Sequence, residues 1–421
     1  MEDVEVVVHR IKSHKKFEPA FLLYSWPSMR LQEDASRWIA RLGRRRSLTH
    51  QRNIAYALAY WHTYCLSAGI EYRRACVDDF LEYGDALGNV ISEKTGKPLS
   101  VDTIGQRMGS LIGYYMSGEE IGWYLTALDL KHALVKSAKG DLAGLEHHAQ
   151  PINASSNSLI PKAARAETDI KPLTPKELIL ILDHLGPSKG EVSRGRRLHR
   201  DRIIAEWMAY VGLRLSEIVG AEKHQGLSVN EIVQLKPDPS KPFDHSIVRV
   251  LGKSAKYRNV AVPNWLVLKT KAYINGERAA AVADLKSPSS KLFVADRSAG
   301  IAFRGKPITG RWFECLFERA CLEAKLTVIE EKNDAAAIRP KLVERASHSP
   351  HDLRHTYAVM TYFAERQLGN AEPWKNIQAQ LGHRHLSTTV EIYLSYVSVM
   401  NDWGRDLRQM SVRELAGLPH V

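Results

Sequence analysis

At 421 residues, with 44% hydrophobic and 25% charged side chains, the chain has the length of about two or three domains and the composition of a globular protein, which excludes a single small module and a disordered or fibrous chain. The 59 lysines and arginines outnumber 47 acidic residues by a formal +12, a balance that points to a polyanionic partner. Cys65, Cys76, Cys315 and Cys321 stand without C-x-x-C spacing, so neither a disulfide framework nor a zinc ribbon is legible and a reducing compartment is expected. The acidic opening Met1-Glu2-Asp3, with no apolar run near the ~18 residues that span a bilayer, predicts a cytoplasmic protein with no membrane partner.

In chain order, residues 1–35 read as an N-terminal extension with two apolar runs, Val4 to Val8 and Phe21 to Tyr24, and no assignable element. Residues 36–135 are helical in periodicity. Thr49 is the expected N-cap of a helix that places Ile54, Ala57, Leu58, Trp61 and Cys65 on one stripe. A second helix runs through Val77, Phe80 and Leu81. A third starts near Ser100, with Ile104, Met108, Leu111, Ile112 and Tyr115 on its apolar face and Gln106, Arg107 and Ser110 off it. Together these predict a small helical bundle.

Residues 136–172, including Gln150 to Ser158, have the composition of a linker. A second domain over 173–400 opens at Thr174-Pro175-Lys176-Glu177, a capping box with proline at the first helical position. Within it, Ile203 to Val219 and the stretches after Thr309 and His351 are helical in period. Ile247 to Leu251 and Val260 to Val262 form a hairpin, and Leu292 to Val294 suit a further strand. The expected fold is mainly α with a small antiparallel sheet. Residues 401–421 form a tail carrying Trp403, Leu407, Met410 and Val412 at amphipathic spacing.

Four clusters in the second domain carry chemistry: Gly212-Leu213-Arg214-Leu215-Ser216-Glu217, Gly252-Lys253-Ser254-Ala255-Lys256-Tyr257-Arg258, His351-Asp352-Leu353-Arg354-His355-Thr356, and Leu381-Gly382-His383 followed by Ser387-Thr388-Thr389 and Tyr393. Each alone has an ordinary structural explanation. An arginine beside a glutamate is usually ion-paired, turn lysines are usually solvated, and Tyr393 shares a stripe with Val390, Leu394 and Val397 that reads as core. His351 and Arg354, at i and i+3, share a helical face and can grip one anion. Thr388 and Glu391 form a second capping box that sets Tyr393 about one and a half turns into its helix.

Taken in this order, the clusters resemble the tyrosine recombinase, or phage integrase, family, whose signatures are G-[LM]-R-x-S-E, G-K-G-x-K-x-R, H-x-L-R-H, and L-G-H followed by S-T-T and a tyrosine. The resemblance covers Leu173 to Val399 directly and, more loosely, Ser36 to Leu130 as the family's core-binding domain. Ser254 stands where the family has glycine. The ten residues from His383 to Tyr393, where nine is also common, keep Tyr396 as a second candidate nucleophile; Tyr393 is favoured because it follows the threonine pair.

The resemblance implies a two-domain clamp around double-stranded DNA at a specific recombination site, worked by a homo-tetramer on two duplexes. It implies a catalytic set of Arg214, Lys253, His351, Arg354, His383 and Tyr393, supported by Glu217. Tyr393 would attack phosphorus to give a 3′-phosphotyrosyl link and a free 5′-hydroxyl. Arg214 and Arg354 would meet the developing charge, and His383 would bond the phosphate. His351 would act as base for a phenol of pKa about 10, and Lys253 as acid for the leaving oxygen. No metal, ATP or other cofactor is implied, and in a bacterial host the protein would be nucleoid-associated. Arg44, Arg45, Arg46 and Arg52, in a basic tract with Arg37 and Arg41, and Arg196 and Arg197, in another with Lys189, Arg194 and Arg200, are expected at phosphates. Gln106 and Arg107 are the expected major-groove readers. The expected activity is integration, excision or transposition of a mobile element, or resolution. Two rivals are a type IB topoisomerase-like nicking and resealing enzyme, which strand exchange would separate, and a catalytically inactive DNA-binding protein, which the complete residue set argues against.

Overall fold

The structure, a computed structural model, describes residues 3–11, 21–43, 47–92, 96–120, 122, 170–187, 198–221, 225–252, 257–332, 341–383, 386, 389, 390, 392 and 393. It divides into two compact units, Met1–Ala166 with Lys332–Lys341, and Glu167–Glu331 with Leu342–Val421.

The first unit begins with the hairpin of β1 (Glu5–Arg10) and β2 (Phe21–Trp26), antiparallel with Val6 opposite Ser25 and Val8 opposite Leu23. The period of two along β2 buries Phe21, Leu23 and Ser25 while Leu22 and Tyr24 stay half-exposed. Val6, Phe21 and Leu23 belong to the core of the helices that follow, so the extension is part of their packing. These helices are α1 (Glu33–Gly43), α2 (Leu48–Ala68), α3 (Val77–Gly88) and α4 (Val101–Glu120). The N-cap of α2 is Ser47, two residues before the expected Thr49, because Ser47 Oγ accepts from His50 N. The core centres on Trp61, whose ring lies 4.8 Å from Phe80 and 5.0 Å from Tyr83 and whose Nε1 donates to Tyr115 Oη at 2.9 Å.

The second unit opens with α5 (Pro175–Leu185), where Thr174 N donates to Glu177 Oε2 at 2.8 Å and closes the expected capping box. α6 (His199–Val211) is its central helix, with Ile203, Ile204, Trp207, Met208 and Val211 all buried. The helix expected to run on to Val219 stops at Gly212, which takes the left-handed conformation at φ 73°. A Cβ there would sit 2.5 Å from the Tyr357 ring, so no other residue fits this bend. The chain restarts as α7 (Leu215–Val219), followed by α8 (Val229–Val233).

The expected hairpin is present as β3 (His245–Leu251) and β4 (Tyr257–Pro263), with Val248 opposite Val260. It leads into α9 (Asn264–Tyr273). Leu292 to Val294 do not form the expected strand: they lie fully buried, with isolated bridges from Val294 to Pro307 and from the preceding Lys291 to Ser228. Next come α10 (Gly310–Glu323), β5 (Thr327–Lys332), β6 (Lys341–Ala346), α11 (Pro350–Gln367) and α12 (Pro373–Leu381). The fold is mainly α, with three separate two-stranded sheets among the described residues where the sequence suggested one. Among these residues no helix is long and apolar enough to cross a membrane.

Candidate active site

The site is built where α6, α7, β4, α11 and α12 meet in the second unit. α11 begins with Pro350 after a capping box in which Ser349 N donates to Asp352 Oδ2 at 2.7 Å, so Asp352 caps the helix. His351 stays exposed in the first turn, while Arg354, 1% exposed, turns inward. Its guanidinium donates through Nη1 to the carbonyl of Gly212 and through Nη2 to the carbonyl of Leu381 at 2.6 Å. These carbonyls belong to the ends of α6 and α12, where oxygens lack intrahelical partners and favour a cation. Two helix ends thus hold one arginine in one orientation.

Glu217 gathers the other cations. Its carboxylate, with a fully buried side chain, accepts from Arg258 Nη1 at 2.8 Å and Nη2 at 2.9 Å, a bidentate fork, and from Arg214 Nη1 at 3.2 Å. Arg354 Nη1 lies 4.0 Å away from it. Burial alone would raise the Glu217 pKa, but the bonds and charges of Arg258 and Arg214 hold it at about 2. Gly382, left-handed at φ 69°, lets Arg258 pass, since a Cβ there would meet the Arg258 side chain at 2.8 Å. Gln380 then ties β4 to α6, bonding Ala261 N at 3.0 Å, Ala261 O at 2.8 Å and Val211 O at 3.1 Å.

His383 follows Gly382; its Nδ1 pairs with the buried Thr389 Oγ1 at 2.8 Å and its Nε2 faces Arg354 Nη2 at 3.4 Å. Desolvation and the charges of Arg354, Arg214 and Arg258 push its pKa down to about 4. Tyr393 is 1% exposed and packs with Ala358, Val359, Ile377 and Leu381, the core setting that its stripe suggested. Its hydroxyl nevertheless has a polar partner: His355 Nδ1 at 2.9 Å. Burial raises the phenol to about 12 against the lowering charges of Arg354 and Arg214.

Arg214, Glu217, Arg354, His383 and Tyr393 therefore lie together, with His351 at the rim. The structure adds Arg258 and His355, which the motifs contained without a role. Arg258 closes the lysine motif, and His355 stands one helical turn after His351. Lys253, Lys256 and Tyr396 lie outside the described residues, as do Arg44, Arg45, Arg46, Arg196, Arg197, the second capping box and the tail. Arg200 is unavailable to phosphate, being buried against Asp201 at 2.7 Å and the Val294 carbonyl at 2.8 Å. Arg37 is paired with Glu33 at 3.1 Å. Arg52 and Gln106 are exposed, and Arg107 is half-buried against the Tyr60 ring. Among the described residues no cluster of three or more histidine, cysteine or acidic side chains is placed to hold a metal ion. An open groove of about 1000 Å³ runs from Arg214 and His351 past Lys291, Arg311 and Arg345.

Fixed guanidinium donors around a hydrogen-bonded phenol are the residue types that a phosphoryl-transfer site with a tyrosine nucleophile requires. Residues 171–397, more than half of the sequence, match the phage integrase family, and the chain belongs to that family. It is 26% identical over 285 residues to tyrosine recombinase XerD of Bifidobacterium longum (strain NCC 2705), an alignment covering 65% of this chain and 76% of the relative. It is 29% identical over 192 residues to tyrosine recombinase XerC of Myxococcus xanthus, covering 45% and 48% of the two chains. The crystal structure of the XerH site-specific recombinase bound to palindromic difH substrate, a post-cleavage complex, shares the fold at a TM-score of 0.52 and 16% identity over 90% of this chain and 85% of that one.

Proposed function

We propose that the chain is a site-specific DNA recombinase that cuts and rejoins strands through a 3′-phosphotyrosyl bond at Tyr393. The observation that carries this reading is the Tyr393 hydroxyl, bonded at 2.9 Å to an imidazole in the same cluster as an arginine that two helix ends immobilise. A phosphodiester gains charge on its non-bridging oxygens as the phenol adds, and donors already aimed at those oxygens favour the transition state without reorganising. Arg214, whose side chain is 26% exposed, opens towards the groove, and Arg354 and His383 stand behind it. Lys253, in the segment that joins β3 to β4 in sequence, protonates the departing 5′-oxygen. The phosphotyrosine conserves the energy of the broken bond, so rejoining needs no cofactor. The +12 formal charge suits a DNA partner. Assembly is as a homo-tetramer on two synapsed duplexes, in the service of a mobile element or of resolution.

The test uses a nicked duplex built on the sequence that the full chain selects from a random DNA library. Cleavage should trap a covalent adduct whose nucleotide maps to Tyr393 by peptide mass spectrometry, and Tyr393→Phe should trap none. An adduct on Tyr396 would overturn the assignment. Exchange of strands between two duplexes supports the recombinase; relaxation of supercoils without exchange supports the topoisomerase-like rival.

A further inference from the structure

The geometry points to His355 as the group that takes the proton from the Tyr393 phenol, a role that rests on Tyr393 being the nucleophile. A general base must lie within hydrogen-bond reach of the proton it removes. His355 Nδ1 is 2.9 Å from the Tyr393 hydroxyl. His351, which the family motif would suggest for this role, lies one turn earlier on α11, exposed, with its ring edge-on to His355 at a centroid separation of 4.7 Å. His351 thus reaches the rim, and His355 reaches the reacting oxygen.

The surroundings keep His355 in the form that a base requires. The groups that act on it are His351 and Arg354 from α11, His383 from the turn after α12, and Tyr393. Desolvation first, and then the first three of these, press its pKa down to about 3. The ring is therefore neutral near pH 7, and with its hydrogen on Nε2 it offers the Nδ1 lone pair to the phenol. A phenol held at about 12 is almost never ionised on its own, so removal of its proton has to accompany attack. A bound phosphate brings negative charge beside Arg214 and Arg354, which offsets those cations and raises the proton affinity of His355 as DNA arrives.

The step balances. The Tyr393 O–H bond breaks as its oxygen bonds to phosphorus, and the proton passes to His355 Nδ1. The P–O5′ bond breaks, and its electron pair leaves on the 5′-oxygen, which takes the Lys253 proton. In rejoining, the 5′-hydroxyl attacks the phosphotyrosine while returning its proton to Lys253, and the leaving phenolate recovers its proton from the His355 imidazolium.

A purely structural bond, docking the tyrosine in the core, makes a different prediction. The experiment places a ring-fluorinated tyrosine at 393 of the full chain, which lowers the phenol pKa by several units so that a base is no longer needed. Single-turnover cleavage of the nicked duplex is measured, after gel shift confirms that each variant still binds the site. With tyrosine at 393, His355→Gln should slow cleavage by roughly 10²–10⁴-fold, and the fluorinated phenol should restore most of that loss. His351→Gln should show the same defect with either nucleophile. Equal losses for His355→Gln with both nucleophiles, full activity of His355→Gln, or rescue confined to His351→Gln would each overturn the inference. An adduct formed by Tyr393→Phe would instead overturn the nucleophile on which it rests.

Discussion

In the first unit the buried side chains that dominate the core are rings, Trp38, Trp61, Phe80, Tyr83, Tyr114 and Tyr115, while in the second Arg200, Asp201, Arg202, Glu206, Glu217, Lys269 and Arg354 are taken out of water as well. Rings stabilise by buried area and by the edge and face geometry of their pairs, without placing charge. Buried charges cost several kcal/mol each unless every valence is met, and their retention in the second unit fixes where positive charge stands. Two networks there differ in a way that matters. Glu206 holds Arg202 at 2.9 Å and Lys269 at 2.6 Å, all of them buried. Glu217 holds Arg258 and Arg214, but the Arg214 side chain is 26% exposed beside a groove. The first network reaches water through an acid, Asp183, which pairs with Arg202 at 2.7 Å, whereas the second reaches it through a cation, Arg214, that can take an incoming anion.

The largest expected effects separate the two units. Arg354→Lys keeps the charge but cannot bond both the Gly212 and Leu381 carbonyls with a planar fork, so single-turnover cleavage should fall roughly 10²–10³-fold with site binding retained. Trp61→Ala should cost about 3–5 kcal/mol and raise hydrogen exchange in α2, α3 and α4 before α6 and α11. Exchange rising equally in both units would mean that the aromatic core is not an independent source of stability.

The two networks are compared next. Glu217→Gln leaves three guanidiniums around a neutral amide, and Glu206→Gln leaves Arg202 and Lys269 likewise, each with an expected loss of about 3–5 kcal/mol. Added sulfate should recover much of the melting temperature of the Glu217 variant, because an anion can enter beside Arg214. It should recover none for the Glu206 variant. Equal recovery would show that the Glu217 network is no more open than the other.

What the sequence made legible follows the same division. Arg214, Glu217, Arg354, His383 and Tyr393 were picked out because the motifs that hold them resemble the family's signatures in order and spacing. The helices of both units were readable from apolar period, and the α5 start from its capping box. The β1–β2 hairpin was not, because Leu22 and Tyr24 blur the alternation that a strand facing water would show. The break at Gly212 was hidden because apolar period continues across it into α7, and only the tertiary approach of Tyr357 makes glycine obligatory there. His355 and Arg258 were in plain view within motifs, but their partners, Tyr393 and Glu217, stand 38 and 41 residues away, and pairing over such separations is a product of packing.

Acid should also distinguish the units. His62 in the first is fully enclosed and pushed by desolvation to about 4, and in the second His383 is pushed to about 4 and His355 to about 3, against an ordinary 6.5. The unfolded chain binds these protons first, so stability is full above about 6.5 and falls as pH drops through the window down to the folded values. Sulfate bound among the arginines should raise the folded values of His383 and His355 and so flatten the loss in the second unit, leaving the His62 loss in the first unchanged. Hydrogen exchange between pH 7 and 5, with and without sulfate, reads both. An identical effect of sulfate on the two units would contradict the open Glu217 network.

The smallest effect concerns how the first unit meets DNA. A groove of about 680 Å³ on this unit is lined by His50, Asn53, Tyr56, Tyr60, Gln106 and Arg107, and the Arg107 guanidinium stacks 4.4 Å from the Tyr60 ring centre. Tyr56 and Tyr60 are 46% and 47% exposed. Stacking restricts the guanidinium plane, which lowers the cost of presenting its fork to one base edge, and guanine, with two acceptors in the major groove, is the match for such a fork. Arg52, also exposed on α2, has no ring stacked on it among the described residues and is suited to a phosphate. Arg107→Ala should weaken binding about tenfold on the selected site and abolish discrimination at one G·C pair, with Tyr60→Leu giving a fraction of the same loss at the same pair. Arg52→Ala should weaken all sequences alike and lower the slope of log K against log salt by about one. If Arg107→Ala instead weakened every sequence equally, Arg107 would be one more phosphate contact, and the reading of bases would belong to another part of the chain.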